Sequence, residues 1–337
     1  MTRTQLSLAA AGTIIGLVLL GLVLPNWLQF LATMAASHGI VSLGILLIMR
    51  GGLVSFGQGM VFALGGYAVA LCVIKLGITD ALLLLVIGGA VAGLIGAVTG
   101  PLLARYSGIF FGMLTLALSM VLYGILIKST ALGGSDGFNI PRPSLFGRRL
   151  EGPSGDYALY VLAILTTGLA SWATAMHIRS ARGLVTQAIQ ANPLRVEYLG
   201  TSVQSVMATN FALAAVLGGL GGALTVLALG HIEPTFAFWT QSGEFVFVAI
   251  LAGSKSVIAI FVASLALELV RSFSSLYFPN TWQMALGLFL LAIILFLPNG
   301  IGSLWTTRAA SRRAAEEPTE PAREATRQPA SAREGTS

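Results

Sequence analysis

Apolar runs of membrane-spanning length recur along most of the chain. Each holds roughly 20 residues with few charges, the length that an α-helix needs to cross a hydrocarbon core of about 30 Å. Because backbone polar groups in lipid must pair within the protein, we expect these runs to be helices. The pattern predicts an all-α, polytopic transmembrane helical bundle with about eight full spans. These spans are 6–24, 31–49, 59–76, 81–104, 108–128, 157–178, 205–229 and 281–298.

A further apolar region, residues 244–273, is interrupted by Gly253, Ser254, Lys255 and Ser256. Small and polar residues inside an apolar run predict two shorter helices that meet at a break. The region either crosses the membrane once or folds back to its starting side. We favour a broken or re-entrant pair with Lys255 near the cytoplasmic turn, because this pair leaves the arginine-rich carboxyl terminus on the cytoplasmic side.

The composition excludes an ordinary water-soluble domain. Hydrophobic residues make up 55% of the 337 residues and charged residues only 9%, against about 25% charged residues in soluble domains. The net charge is +6, but in a membrane protein such an excess reports which loops face the cytoplasm. We therefore expect a lipid bilayer around the chain and no nucleic-acid partner. The single cysteine, Cys72, permits no intramolecular disulfide and is expected to be a small buried hydrophobe.

The arginines orient the predicted helices when the amino terminus is placed inside the cell. A transmembrane domain then covers 1–305, with a cytoplasmic loop at 179–204 and an external loop at 129–156, although the external loop also contains arginines. The tail at 306–337 lacks large apolar residues, so we expect it to be disordered and cytoplasmic. The arginines at the cytoplasmic ends are Arg50, Arg105, Arg179, Arg182 and Arg195.

Glycines and polar residues also interrupt apolar sequence at 50–59, where Gly51, Gly52, Ser55 and Gln58 stand at the expected membrane depth. Non-helical backbone at that depth is stable only where it is buried in protein or lines a wet cavity. Interrupted helices near the midplane hold polar solutes in several transporters, because freed backbone groups and helix ends supply ligands. The segment is therefore either part of a solute pathway or an ordinary interfacial loop.

Motifs for catalysis and nucleotide binding are missing from the sequence. No Gly-Lys-Ser or Gly-Lys-Thr occurs, so the phosphate-binding loop of an ATPase is absent and any ATP must be hydrolysed by another chain. His38, His177 and His231 lie far apart and lack the paired spacing of a zinc site. We expect no catalytic residue, no metal and no cofactor.

Few acidic residues fall within the apolar runs. Glu244 and Glu268 are the candidates, and an ionisable group at that depth indicates function by default. Glu244 is expected at a span end, and Glu268 with Arg271, three residues apart on one helical face, is expected to form a structural pair. The absence of a run of buried carboxylates disfavours a proton-driven carrier and leaves sodium coupling open.

The loop at 179–204 is polar but has apolar residues at helical spacing, among them Leu184, Ile189 and Val196. A short amphipathic helix of this kind is suited to a groove on a partner protein. The alternative is a helix that lies flat on the membrane.

At this loop the sequence resembles the permeases of branched-chain amino acid ATP-binding-cassette importers, a family that also includes urea and amide permeases. The resemblance covers roughly 31–305 and departs from the usual pattern at Gln190-Ala191, at Pro193 and at 251–256. The resembling stretches are Arg182-Gly183, Ala188-Ile189, Asn192 and 195–200 in the loop, the glycine-rich run 214–224, the glycine-glutamine motif 51–58 with Phe62 and 65–67, and the segments 110–117 and 133–137.

The resemblance implies a transport subunit, not an enzyme, that works in a larger complex in the bacterial inner membrane. The implied partners are a second homologous permease subunit, two cytoplasmic ATP-binding subunits and a periplasmic solute-binding protein. It implies a substrate pathway lined by Gly51, Gly52, Ser55, Gln58, Thr115 and Gly253. It implies coupling to the ATPase through Arg182, Gly183, Ala188, Ile189, Asn192, Arg195, Glu197, Leu199 and Gly200.

Overall fold

The protein, seen in a computed structural model, is described over residues 3–145, 147–150, 152–253, 256–296 and 300–301. Helices dominate this part of the chain. They are α1 (Arg3–Gly21), α2 (Asn26–Met49), α3 (Gln58–Leu76), α4 (Ala81–Leu103), α5 (Gly108–Lys128), α6 (Gly152–Arg179), α7 (Ala181–Ala191), α8 (Pro193–Tyr198), α9 (Val203–Leu229), α10 (Trp239–Ala252), α11 (Val257–Tyr277) and α12 (Trp282–Phe296).

The polytopic helical bundle expected from the sequence is confirmed, since each of the eight predicted spans coincides with one helix. Seven helices among the described residues are long and apolar enough to cross a membrane: α2, α3, α4, α5, α6, α9 and α11. The apolar parts found in α1 and α12, Gly12–Gly21 and Trp282–Ile293, are shorter. The predicted break is also present, because α10 ends at Ala252 and α11 begins at Val257. Lys255 and the tail at 306–337 lie outside the described residues.

Helix α9 lies at the centre of the bundle, packed against α2, α3 and α4. Glycines make this packing close: a Cβ on Gly44 of α2 would lie 2.8 Å from the carbonyl oxygen of Ala214, and one on Gly65 of α3 would overlap the backbone of Gly219. Small residues at such crossings are how helices associate in lipid, where burial from water provides no driving force. The outward faces carry large apolar side chains, such as Val98 and Ile109, as expected for contact with lipid.

The bundle has two distinct ends. One end, called here the arginine-rich end, carries Arg50, Arg105, Arg179, Arg182 and Arg195. There α7 and α8 connect α6 to α9, and the Nε2 amide of Gln204 donates to the carbonyl oxygen of Pro101 over 2.8 Å, joining the start of α9 to α4. Helix α9 runs antiparallel to α2 and parallel to α3. The position of a contact along α9 therefore gives the height of the contacting group within the bundle.

The opposite end, called here the loop end, is covered by residues 129–145 and 147–150 and by the chain that directly follows α9. Two short antiparallel strand pairs order it, β1 (Phe138–Asn139) with β4 (His231–Ile232) and β2 (Ser144–Leu145) with β3 (Arg148–Arg149). The amide of Ser144 donates to the carbonyl oxygen of Thr79 over 2.7 Å, which fixes this cover on the α3–α4 turn. The 3-10 helices Thr130–Leu132 and Gly134–Asp136 complete the predicted external loop.

Candidate functional site

Residues 50–57 run from the arginine-rich end into the bundle without helical structure. At the start, a Cβ on Gly51 would lie 2.7 Å from the Sδ of Met207 near the beginning of α9. At its upper end, a Cβ on Gly218 would lie 3.1 Å from the Oε1 of Gln58. Since α9 rises about 1.5 Å per residue, Gln58 lies about 22 Å along α9 from Val203, near its midpoint. The predicted interruption of the apolar sequence at membrane depth is therefore present.

Side chains replace the missing helical hydrogen bonds of this segment. The amide of Phe56 donates to Oγ1 of Thr115 on α5 over 3.1 Å, and the amide of Gly57 donates to Oγ of Ser55 over 3.3 Å. Ser55 and Thr115 are both fully buried. The segment is thus held inside protein, which is the condition for irregular backbone at this depth.

A second irregular segment, residues 230–238, enters from the loop end and stops at the same height. It contains the 3-10 helix Pro234–Ala237, and Oγ of Ser119, near the middle of α5, donates to the carbonyl oxygen of Ala237 over 2.8 Å. Helix α10 begins directly after it, and the amide of Gly59 on α3 donates to Oγ of Ser242 on α10 over 2.8 Å. The first turns of two helices therefore meet inside the bundle.

Neither helix start receives a side-chain cap from its N-cap residue, Gly57 for α3 and Phe238 for α10. A helix amino terminus has up to four backbone amides without a helical partner and a partial positive charge. Gln58 is only 1% exposed, and its Oε1 has no hydrogen-bond partner among the described residues. A buried acceptor of this kind costs about 1–3 kcal/mol when unpaired, so this amide is suited to accept a hydrogen bond from a solute.

An aromatic cluster lies beside the meeting point. The ring centroid of Phe62 lies 5.0 Å from that of Phe245 and 5.4 Å from that of Phe236, and the ring of His38 lies 5.4 Å from that of Phe245. Buried aliphatic residues of α2, including Val41 and Ile45, adjoin these rings. The site thus places amide and hydroxyl groups next to an apolar wall.

A carboxylate–imidazole contact and an ion pair join α10 and α11 to this region. Oε2 of Glu268 lies 3.2 Å from Nδ1 of His38, and Oε2 of Glu244 lies 2.9 Å from an Arg271 guanidinium nitrogen. The sequence-based pairing of Glu268 with Arg271 is therefore wrong. Side chains on a helix point toward its amino terminus, so Glu268 on α11 and His38 on the antiparallel α2 reach toward each other, while Arg271 turns to the first turns of α10. Arg271 also lies 5.5 Å from the ring centroid of Trp282.

The predicted amphipathic pattern at 179–204 forms two short helices, α7 and α8, at the arginine-rich end. Both begin with a cap: Oγ of Ser180 accepts from the amide of Gly183 over 3.3 Å, and Oδ1 of Asn192 accepts from the amide of Arg195 over 3.1 Å. Ile189 and Val196 are buried against the bundle. Apolar side chains on the other face are exposed, namely Leu184, Leu194, Tyr198 and Leu199.

The structure divides the residues implied by the resemblance into groups. Ser55, Gln58 and Thr115 come together at mid-height, whereas Gly51 and Gly52 lie lower, next to Met207 and to Gln190 of α7. Gly253 lies apart from them, at the far end of α10 beside Gly300. In the coupling group Gly183 and Ile189 face the bundle and Asn192 is half-buried. The exposed members are Arg182, Ala188, Arg195, Glu197, Leu199 and Gly200.

Sequence reasoning missed Ser119, which holds the 230–238 segment, Ser242, which joins α10 to α3, and Asn210, which joins α9 to α7. Ser119 is a lone polar residue within an apolar run, a signal that indicates a hydrogen bond between helices. Ser242 and Asn210 adjoin other polar residues, so the sequence does not single them out. Among the described residues no group of three or more His, Cys, Asp or Glu side chains is close enough to hold a metal ion. His231 instead contacts Oδ1 of Asn139 at 2.8 Å.

Comparison with known families gives a match over most of the chain. The sequence model described as "Branched-chain amino acid transport system / permease component" matches residues 27–297. This range includes both irregular segments, α7, α8 and the ion-paired helices α10 and α11. No match of comparable significance was found among curated protein sequences or solved structures. The chain therefore belongs to the family of branched-chain amino acid transport permease components.

Proposed function

We propose that the chain is the membrane-spanning permease subunit of an ATP-binding-cassette importer that carries branched-chain or related amino acids across the bacterial inner membrane. Its partners are a second homologous permease, two cytoplasmic ATP-binding subunits and a periplasmic solute-binding protein. The observation that carries the proposal is the exposed apolar face of α7 and α8. The sequence lacks a nucleotide-binding loop of its own, so an ATP-driven importer needs another chain to bind ATP, and we propose that this chain docks on that face.

The shape of α7 and α8 supports docking to another protein. Leu199 is 84% exposed and Tyr198 is 89% exposed, while the buried Ile189 and Val196 tie the same two helices to the bundle. Short helices that are fixed on one face and apolar on the other fit a groove in a partner. In this reading ATP-driven closure of the ATPases moves α7 and α8 and changes which side of the membrane has access to the pathway. ATP can drive such a cycle only if its binding free energy to the complex differs between the two access states.

The site at mid-height supports a small zwitterion with an apolar side chain as the solute. Helix amino termini favour a carboxylate, the Oε1 of Gln58 accepts from an ammonium group, and the cluster of Phe62, Phe236 and Phe245 offers an apolar wall. Urea, short amides and aromatic acids are the alternative solutes, and a self-sufficient carrier or channel is the alternative mechanism.

The test is affinity purification of the tagged chain in mild detergent, followed by reconstitution of the recovered complex with radiolabelled leucine as the probe. We expect an ATP-binding subunit and a second permease to co-purify. In vesicles whose permeases expose outward the face that docks the solute-binding protein, we expect uptake against a gradient to require ATP inside the vesicles. Recovery of a lone homomer that takes up leucine under an ion gradient would replace the importer with a secondary carrier.

Reversing the charge of Glu197 is expected to weaken ATPase docking without unfolding the spans. Glu197 is exposed on α8 beside Leu199, and a like-charge contact at an interface opposes association. For Glu197→Lys we expect a loss of about 1–2 kcal/mol of binding free energy, or roughly five- to thirtyfold weaker co-purification. The control is Asp136→Lys, an exposed acid at the loop end. Equal ATPase recovery from both variants would remove Glu197 from the docking surface.

A further inference from the structure

A single buried side chain joins three helices at the arginine-rich end. Asn210 on α9 is 1% exposed. Its Nδ2 donates to Oγ1 of Thr186 on α7 over 2.8 Å, and its Oδ1 lies 2.8 Å from Nε2 of His177 in the last turn of α6. Thr186 is itself 3% exposed. The amide of Asn210 therefore connects the short helix α7 to two membrane-spanning helices.

The donor and the acceptor of each hydrogen bond that links Arg182, Thr186, Asn210 and His177 can be assigned consistently. Oγ1 of Thr186 donates to the carbonyl oxygen of Arg182 over 2.9 Å, so it accepts from the amide of Asn210. The Oδ1 of Asn210 is then left as the acceptor, and Nε2 of His177 carries the hydrogen. A buried network in which each group has its partner holds its members in one relative geometry.

The same residues adjoin the irregular segment that leads to Gln58. Met207, one turn before Asn210 on α9, packs against Gly51 at the start of residues 50–57. On the other side, a Cβ on Gly52 would lie 3.4 Å from the side chain of Gln190 on α7. Helix α7 thus contacts the start of the 50–57 segment directly. Through Asn210 it is also hydrogen-bonded to α9, the helix that packs against that start.

We infer that Asn210 is a positioning residue that transmits movement of α7 to α9, α6 and the 50–57 segment. The inference rests on the proposed function, because the movement is supplied by the ATP-binding subunits. The apolar contacts of Ile189 allow α7 to slide or rotate, whereas the directional bonds through Thr186 and Asn210 do not. Loss of those bonds uncouples the movement of α7 from the pathway while α7 stays docked to the ATPase.

The test follows the accessibility of the segment instead of solute uptake, so it does not depend on which solute is carried. The complex purified with its co-purifying ATP-binding subunits carries Cys72→Ser and Val54→Cys, the latter at a half-buried position of the segment, and a thiol reagent labels position 54 with and without a non-hydrolysable ATP analogue. We compare Asn210→Leu, Thr186→Val and a matched control, Thr209→Val. Thr209 is the neighbouring residue on α9, and within the described ranges its hydroxyl bonds only to Ser205 of the same helix.

In the parent complex and in Thr209→Val we expect the analogue to change the labelling rate by about tenfold, which is within the usual range of coupling between two sites. In Asn210→Leu and Thr186→Val this nucleotide effect falls to less than about twofold, although the analogue still binds. Thr186→Val keeps the side-chain shape and the contact between Asn210 and His177, so it remains informative if Asn210→Leu does not fold.

A purely structural role lowers the yield or the thermal stability of the variants and leaves the nucleotide effect intact in the protein that folds. That result overturns the inference and leaves the proposed function standing. A tagged chain that recovers no ATP-binding subunit overturns both. Combining Thr186→Val with Asn210→Leu gives no further loss if the two side chains act in one chain of bonds.

Discussion

The substitution Gly65→Ala is expected to destabilise the bundle by about 1–3 kcal/mol, the usual cost of adding a group to a well-packed core. A Cβ on Gly65 would overlap the carbonyl oxygen and Cα of Gly219, and a Cβ on Gly219 would lie 2.6 Å from the carbonyl oxygen of Gly88. Three backbones, those of α3, α9 and α4, meet here, and among the described residues the side chain nearest to the Gly219 position is the small one of Ala92. Backbone atoms cannot rotate away as a flexible side chain can, so the helices must separate.

The measurement is the thermal unfolding midpoint of the purified protein in detergent, with the yield of monodisperse protein as a second readout. Gly124→Ala is the matched control, because a Cβ on Gly124 of α5 would have no atom of the described residues within 4 Å and Ala is the better helix former by about 1 kcal/mol. We expect that variant to be as stable as the parent or more so. Equal stability of the two variants would show that α3 and α9 pack less closely than described.

The substitution Gln58→Leu is expected to lower solute uptake by at least about tenfold without loss of stability. The side chain is buried and its Oε1 has no partner in the described part of the chain, so an apolar replacement of similar size removes an unpaired polar group, which is nearly neutral or stabilising for folding. The readouts are the initial rate of leucine uptake by the reconstituted complex and the thermal unfolding midpoint.

Gln29→Leu provides the contrast for this experiment. The Nε2 of Gln29 donates to the carbonyl oxygens of Gly21 over 3.0 Å and Leu24 over 3.1 Å, so its loss leaves buried carbonyls unpaired and is expected to cost about 1–3 kcal/mol. We therefore expect Gln58→Leu to lower transport without lowering stability, and Gln29→Leu to lower stability. Normal uptake by Gln58→Leu would assign residues 50–58 to packing.

The helical elements could be predicted from the sequence because they depend on local properties. Runs of about 20 apolar residues must be helical in lipid whatever their neighbours are, and each predicted span coincides with one helix. The breaks at 50–57 and near Gly253 were visible as glycines and polar residues within apolar sequence. The amphipathic spacing at 179–204 likewise predicted α7, because one face of a short helix must lie against the bundle.

The site itself depends on contacts between residues far apart in the chain, which hydropathy does not encode. Spacing suggested that Arg271 pairs with Glu268, three residues away, but the packing of α10 against α11 brings Glu244 within 2.9 Å of it. The meeting of Gly59 with Ser242 and the bond between Asn210 and Thr186 likewise depend on which helices adjoin and at what height.

The sequence by itself therefore determined the class of the protein, the positions of its helices and breaks, and its family resemblance, because these follow from composition and from short-range patterns. Only the tertiary structure decided that two irregular segments enter from opposite ends and stop at the same height, beside Gln58. The physical reason is the close glycine-mediated packing of α9 with α2, α3 and α4, which sets the relative heights of the helices and so brings distant polar groups together.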